Sequence, residues 1–177
     1  MNKKKASNII KNINKRKLKV LVIGDIMLDH YIYGRVERIS PEAPVPIVLF
    51  KEEDNVLGGC GNVITNLINL GVNVSISTII GDDEAGSIVK KKLGKLNVSM
   101  DGLHCSKATK TTKKTRIMSS GSHLMRLDED ANEIDESDYD LILDKLKFLT
   151  KNIDYVVISD YNKGYCKSSF IKNVINY

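Results

Sequence analysis

Tryptophan is absent from this 177-residue chain, and only three prolines and three cysteines occur. Cys60, Cys105 and Cys166 are odd in number and far apart, with no C-x-x-C pair, and His30, His104 and His123 do not cluster with them. That spacing argues against a disulfide framework and a zinc site, so a reducing, cytoplasmic setting is expected. No run approaches the ~20 apolar residues of a membrane helix. Residues 1–17 lack the apolar core of a signal peptide. No membrane partner is expected. Two phosphate-binding fingerprints are missing as well. A P-loop needs Lys-Ser/Thr after its last glycine, where Asn62-Val63 follows Gly61. A dinucleotide fingerprint needs a glycine where Ile64 stands, on a loop directly after the first strand.

What remains is ordinary for one soluble domain: 42% apolar and 28% charged residues. The net charge of +5 is concentrated in a basic leader. Residues 1–17 hold seven lysines and arginines and no acid, leaving 20 basic against 22 acidic residues in the body. With no aromatic among those lysines, a solvated leader is favoured and nucleic acid is not expected as a partner.

Along residues 18–177 strands alternate with helices. "LKVLVIG" (18–24) reads as a buried strand, followed by a half-exposed strand in "DHYIYGRVERI". All three prolines fall in "PEAPVP", an extended, edge-type connection, and "IVLF" resumes a strand. Val63, Ile64, Leu67, Ile68 and Leu70 mark a helix face closed by Gly71. "VNVSISTII" reads as a strand, and Gly81-Asp82-Asp83 caps a helix over about 84–96. Strands at 112–119 and 123–127 form a hairpin, 137–151 a helix with a Ser137/Asp140 cap, "DYVVIS" a buried strand ending at Asp160, and 168–177 a helix. This alternation predicts an α/β fold with a doubly wound sheet. The segments 31–50 and 112–127 do not fit the alternation and predict a separate small β layer, a candidate lid.

"LGGCGN" (57–62) puts three glycines directly before a helix. Two readings are open: a tight turn packing helix on sheet, or bare main chain aimed at a ligand. Asn62 is either an N-cap or an amide for a hydroxyl. Asp29 leaves the first strand, beyond whose carboxyl end ligands bind in open α/β sheets. Carboxylate, amide and bare backbone together suit a polyhydroxylated ligand.

These residues resemble the N-terminal signature of the PfkB/ribokinase carbohydrate kinases: Gly58-Gly59-Cys60-Gly61-Asn62, then Gly71 and Gly81. Cys60 and Ile64 stand where small residues are usual. "VIGDIMLDHYIYGRVERISPEAPVPIV", "RLDED" and "VVISDYNKGY" are similar to the branch of that family acting on D-glycero-β-D-manno-heptose 7-phosphate. The similarity runs from about residue 18 to 177, and implies the N-terminal part of a ribokinase-like domain, incomplete in its sheet.

The resemblance implies phosphoryl transfer from ATP, with Mg2+, to the anomeric hydroxyl, giving the 1,7-bisphosphate used for ADP-heptose and lipopolysaccharide core. It implies that Asp29, Gly58, Gly59 and Asn62 hold sugar hydroxyls. Asp160 would lie near substrate and phosphates. Arg116 and Arg126 on the hairpin, and Lys163, would meet the substrate phosphate, since an arginine fork binds two phosphate oxygens. Each cation is otherwise a solvated surface charge, and Asp160 a turn or cap residue. The family base, an aspartate in Gly-Ala-Gly-Asp, has no counterpart in this sequence and is expected downstream of residue 177. The chain is therefore expected to be inactive alone and to offer no metal ligands of its own. A homodimer through the lid strands and a fused or partnered nucleotidyltransferase domain are further implications. Another ribokinase-like sugar or nucleoside kinase, and a fragment that only binds sugar phosphate, remain as alternatives.

Overall fold

In the computed structural model, residues 16–131 and 133–176 are described, so the basic leader falls almost wholly outside them. In chain order the elements are β1 (Lys19–Gly24), β2 (Ile26–Ile39), β3 (Pro46–Gly59), α1 (Cys60–Asn69), β4 (Asn73–Gly81), α2 (Glu84–Lys95), β5 (Ser99–Ser106), β6 (Lys113–Ser119), β7 (Ser122–Glu129), α3 (Glu136–Leu149), a 3-10 turn (Thr150–Asn152), β8 (Tyr155–Ser159) and α4 (Ser168–Ile175).

Every residue of β1 after Lys19 is buried, as a strand covered on both faces requires. It lies between β4 and β8, all parallel, in the order β5-β4-β1-β8. Side chains alternate across the strand. Val20 and Val22 pack with Ile64 of α1 and Val89 and Leu93 of α2. Leu21 and Ile23 pack with Ile142 and Leu146 of α3 and Phe170 and Val174 of α4. The result is the helix–sheet–helix sandwich that the alternation predicts. After β1 the chain winds through β4 to β5, then returns to the other side of β1 as β8. The carboxyl ends of β1 and β8 are thus a topological switch point, where open α/β sheets leave a crevice. β8 is not the buried strand that its apolar run predicts: it is an edge strand with Tyr155, Val156 and Ile158 exposed and one side open to pairing.

The helix ends follow local chemistry. Gly71 adopts φ 81°, and its N–H and that of Val72 bond Ile68 O (2.8 Å) and Leu67 O (3.1 Å), closing α1. Leu70 belongs to that cap and is 38% exposed, so the apolar face ends at Ile68. Asp83 caps α2 by accepting the Gly86 N–H at 2.7 Å. In α3 the cap position is Asp135, without a side-chain bond, not Ser137 or Asp140.

The second layer is a sheet of order β3-β2-β6-β7. It is longer than the sequence pattern indicates. β2 and β3 form one antiparallel hairpin of 14 residues a side, joined by a proline turn closed by Ser40 N–H to Val45 O at 2.9 Å. At its base Ile26, Leu28 and Leu57 enter the main core. Toward the tip, Lys51 to Asp54 are exposed and carry no apolar alternation, which is why β3 was legible only at 47–50. β5 went unread for a related reason. It is an edge strand, "SMDGLHCS", with just two buried residues.

Candidate functional site

The hairpin base, the start of α1 and the turn after β8 converge on a cleft of about 340 Å³. Its walls include Asp29, Gly58, Gly59, Asn62 and Arg116, five of the residues singled out in the sequence, with Lys114 and Tyr161. β2 and β3 run antiparallel, pairing Asp29 with Val56 and Met27 with Gly58. β6 runs parallel to β2 and pairs Asp29 with Lys114 and Tyr31 with Arg116. Period-two alternation therefore lines up Asp29, Tyr31, Lys114 and Arg116 on one face.

The glycines have distinct reasons here. A side chain at Gly58 would overlap the Asp29 carboxylate, so its absence leaves room for that group. Gly59 sits at φ 58°, ψ −131°, a conformation essentially reserved for glycine, and turns the strand into the helix. It is the N-cap position, so Asn62 is not the cap; it lies in the first turn of α1, exposed to the cleft. α1 has no acidic residue in its first turn and no side-chain cap bond, leaving its N-terminal amides without a side-chain acceptor.

Arg116 Nη1 donates to Asp29 Oδ1 at 2.5 Å, and its guanidinium lies 5.2 Å from the Tyr31 ring centre. Both ionic side chains are about one-fifth exposed, so this charge-assisted bond is partly shielded from water. Burial acts to lower the Arg116 pKa, but the bond and charge of Asp29, with Tyr31 and Asp128, outweigh it and hold the pKa above its ordinary value. The site thus presents a permanent cation beside a carboxylate already oriented by it.

Three residues singled out in the sequence are not in this lining. Arg126 is the cross-strand neighbour of Arg116 but is held by Asp128, through Nε to Oδ1 at 2.7 Å and Nη2 to Oδ2 at 3.0 Å. The Asp160 carboxylate accepts the Asn162 N–H at 2.8 Å, as a turn residue does. Lys163 pairs with Asp130 at 2.7 Å. Conversely, Tyr31, Lys114 and Tyr161 line the cleft without having been singled out. Tyr31 and Lys114 lie two residues from Asp29 and Arg116, so strand periodicity carried a signal for both. Tyr161 follows a strand end and had none.

Among the described residues, one trio has ligand atoms close enough for a metal, Asp25, Asp160 and Cys166, within 4.8 Å of one another. It does not suit magnesium. The Asp25 oxygens already accept three main-chain amides, and a thiol is too soft a donor for that ion.

Burial also pushes the Cys166 thiol up to about 12 from its ordinary 9.0, with Asp25 and Asp160 adding to the effect. Burial raises Cys60, Tyr139 and Tyr165 too. The folded chain keeps these protons where the unfolded chain releases them. Their contribution to stability is complete below the unfolded pKa and is lost as pH climbs toward the folded one. The urea midpoint is expected to fall steadily between pH 9 and 11; a flat profile there would contradict the burial of these groups.

Residues 17–176 match the pfkB family of carbohydrate kinases. The chain is 43% identical over 159 residues to the bifunctional protein HldE of Sulfurimonas denitrificans, covering 89% of the chain and 33% of that protein. It is 43% identical to the bifunctional protein HldE of Campylobacter concisus, over 91% of the chain and 34% of the relative. The chain thus spans about a third of the length of these curated relatives. Among solved structures, a putative phosphofructokinase from Staphylococcus aureus superimposes with TM-score 0.70 at 12% identity, over 90% of this chain and 49% of that one. The tetrameric inhibited form of phosphofructokinase-2 from Escherichia coli gives TM-score 0.65 at 17% identity, over 90% and 50%. These two likenesses concern the fold, and the family follows from the match over nearly the whole chain: it belongs to the pfkB family of carbohydrate kinases.

Proposed function

We propose that this chain forms the sugar side of a kinase that transfers phosphate from ATP, with Mg2+, to the anomeric hydroxyl of D-glycero-D-manno-heptose 7-phosphate. The product is the 1,7-bisphosphate, a precursor of ADP-heptose and the lipopolysaccharide core, made in the cytoplasm. The observation that carries the reading is the cleft joining Asp29, Gly58, Gly59, Asn62, Lys114 and Arg116. Asp29 and Asn62 take sugar hydroxyls, the bare Gly58–Gly59 backbone lets the ring approach, and Arg116 with Lys114 takes the 7-phosphate. Arg126, Asp160 and Lys163, engaged with Asp128, the Asn162 amide and Asp130, stand outside this lining. A nucleotidyltransferase domain, fused or separate, and a homodimer through the second sheet complete the proposed assembly. Exposed Leu124, Met125 and Leu127 on β7 support the second of these.

A second reading, binding without transfer, is favoured for the chain by itself, because no G-x-G-D run occurs in its sequence. Mixed with ATP, Mg2+ and heptose 7-phosphate, the purified chain is expected to yield no bisphosphate, and turnover would overturn that part of the reading. Calorimetry is expected to show heptose 7-phosphate binding at least about tenfold more tightly than unphosphorylated heptose, the worth of one charge-assisted phosphate contact. Equal affinity, or preference for a nucleoside, would point to another sugar or nucleoside kinase.

A further inference from the structure

Asp25 is 3% exposed, and its carboxylate is held by main-chain amides. Oδ2 accepts the N–H groups of Tyr161 at 2.7 Å and Lys163 at 3.3 Å, and Oδ1 accepts that of Tyr165 at 3.0 Å. The main chain of Asp25 is engaged as well. Its carbonyl accepts the Cys60 N–H at 2.8 Å, at the first residue of α1, and its amide donates to Ser159 O at 3.1 Å, at the end of β8. One residue thus ties together the glycine junction, the root of β2 and the turn that follows β8. These segments border the cleft, and Tyr161 is the one residue of the turn that lines it.

We propose that Asp25 is a positioning residue for sugar-phosphate binding: by collecting the amides of 161, 163 and 165 it fixes the turn after β8 so that Tyr161 forms a wall of the cleft. This rests on the sugar-phosphate reading of that cleft. An ionised carboxylate accepts without donating, so it satisfies three converging N–H groups. Asparagine has the same shape but turns an NH2 toward those donors, and it cannot hold all three. The turn is strained, with Asn162 at φ 55° and Gly164 at φ 99°, and its other ties fall on residues after Tyr161: Asp160 accepts the Asn162 N–H, Lys163 pairs with Asp130 and the Tyr139 hydroxyl donates to the Gly164 carbonyl, whereas the Tyr161 amide is held by Asp25. The position of Tyr161 therefore depends on the anchor.

The experiment combines hydrogen exchange with a double-mutant cycle on the 177-residue chain. In Asp25→Asn, the amides of Tyr161, Lys163 and Tyr165 are expected to exchange at least about tenfold faster, while those of β1 and β4 are unchanged. The same substitution is expected to weaken heptose 7-phosphate binding about tenfold in the wild-type background and by less than about twofold in Tyr161→Ala. A role in folding alone would leave the two effects additive. Gly164→Ala strains the turn with the Asp25 carboxylate intact, and it is expected to reproduce both changes; it carries the test if Asp25→Asn does not fold. Unchanged exchange in the turn, or full additivity with Tyr161→Ala, overturns the proposal. If the wild-type chain binds no sugar phosphate while Asp25→Asn still frees the turn, the reading of the cleft falls and the anchor stands.

Discussion

Replacing Asp29 by alanine is expected to weaken heptose 7-phosphate binding by roughly 10- to 150-fold, the worth of a hydrogen bond to a charged group, about 1.5–3 kcal/mol. The carboxylate is the anionic acceptor in the cleft lining that also contains Gly58, Gly59 and Asn62, and among the described residues no other acidic side chain lines it. Its loss has a second effect. Arg116 Nη1 is held at 2.5 Å by Asp29, so the alanine leaves a partly buried guanidinium without its partner. Asp29→Asn keeps the shape and one acceptor, and its loss should be smaller. Calorimetric titration reads both. An alanine variant within about threefold of wild type would remove Asp29 from the ligand contacts, since a charge-assisted bond is worth more than that.

Gly59→Val is expected to be the most damaging single substitution for stability, costing at least about 3 kcal/mol. At φ 58°, ψ −131° a branched side chain is strained in any surroundings. Here the added carbon would also collide with the Asp25 carbonyl and reach the Met27 side chain at 3.0 Å. That carbonyl is the acceptor for the first amide of α1, so relief of the clash would pull the helix start away from the sheet. For a chain of this size the melting temperature is expected to drop by roughly 6–12 °C. Gly121→Val is the matched control: Gly121 has φ 80° but nothing within 4 Å of an added carbon, and so carries backbone strain alone. Equal melting temperatures for the two variants would refute the steric account of the junction.

The inner strands of the main sheet, β1 and β4, were legible in the sequence because they are buried on both faces. "KVLVIG" and "NVSISTIIG" are apolar runs or alternations with turn chemistry after them, and Asp83 caps its helix where the turn signal stands. The second layer was legible where it meets the core and not where it projects, because Lys51 to Asp54 answer to water on both sides. Asp29, Gly58, Gly59, Asn62 and Arg116 were read through chemistry and family likeness, and the register of β2, β3 and β6 brings them to one cleft. Asp25 escaped notice because its partners are backbone amides 136 to 140 residues away, which leave no mark on side-chain patterns. Lys163 shows the converse: a lysine beside a promising aspartate is engaged by Asp130, an ion pair set by tertiary contact.

The account stands on where a sugar phosphate binds, and a titration of the labelled chain with heptose 7-phosphate, followed by NMR, tests this most directly. The amides of Gly58, Gly59 and Asn62 and the guanidinium of Arg116 are expected to shift together, along one saturation curve. A curve that does not saturate, or shifts gathered instead around His30 and Glu53 in the separate cleft of about 420 Å³, would contradict it.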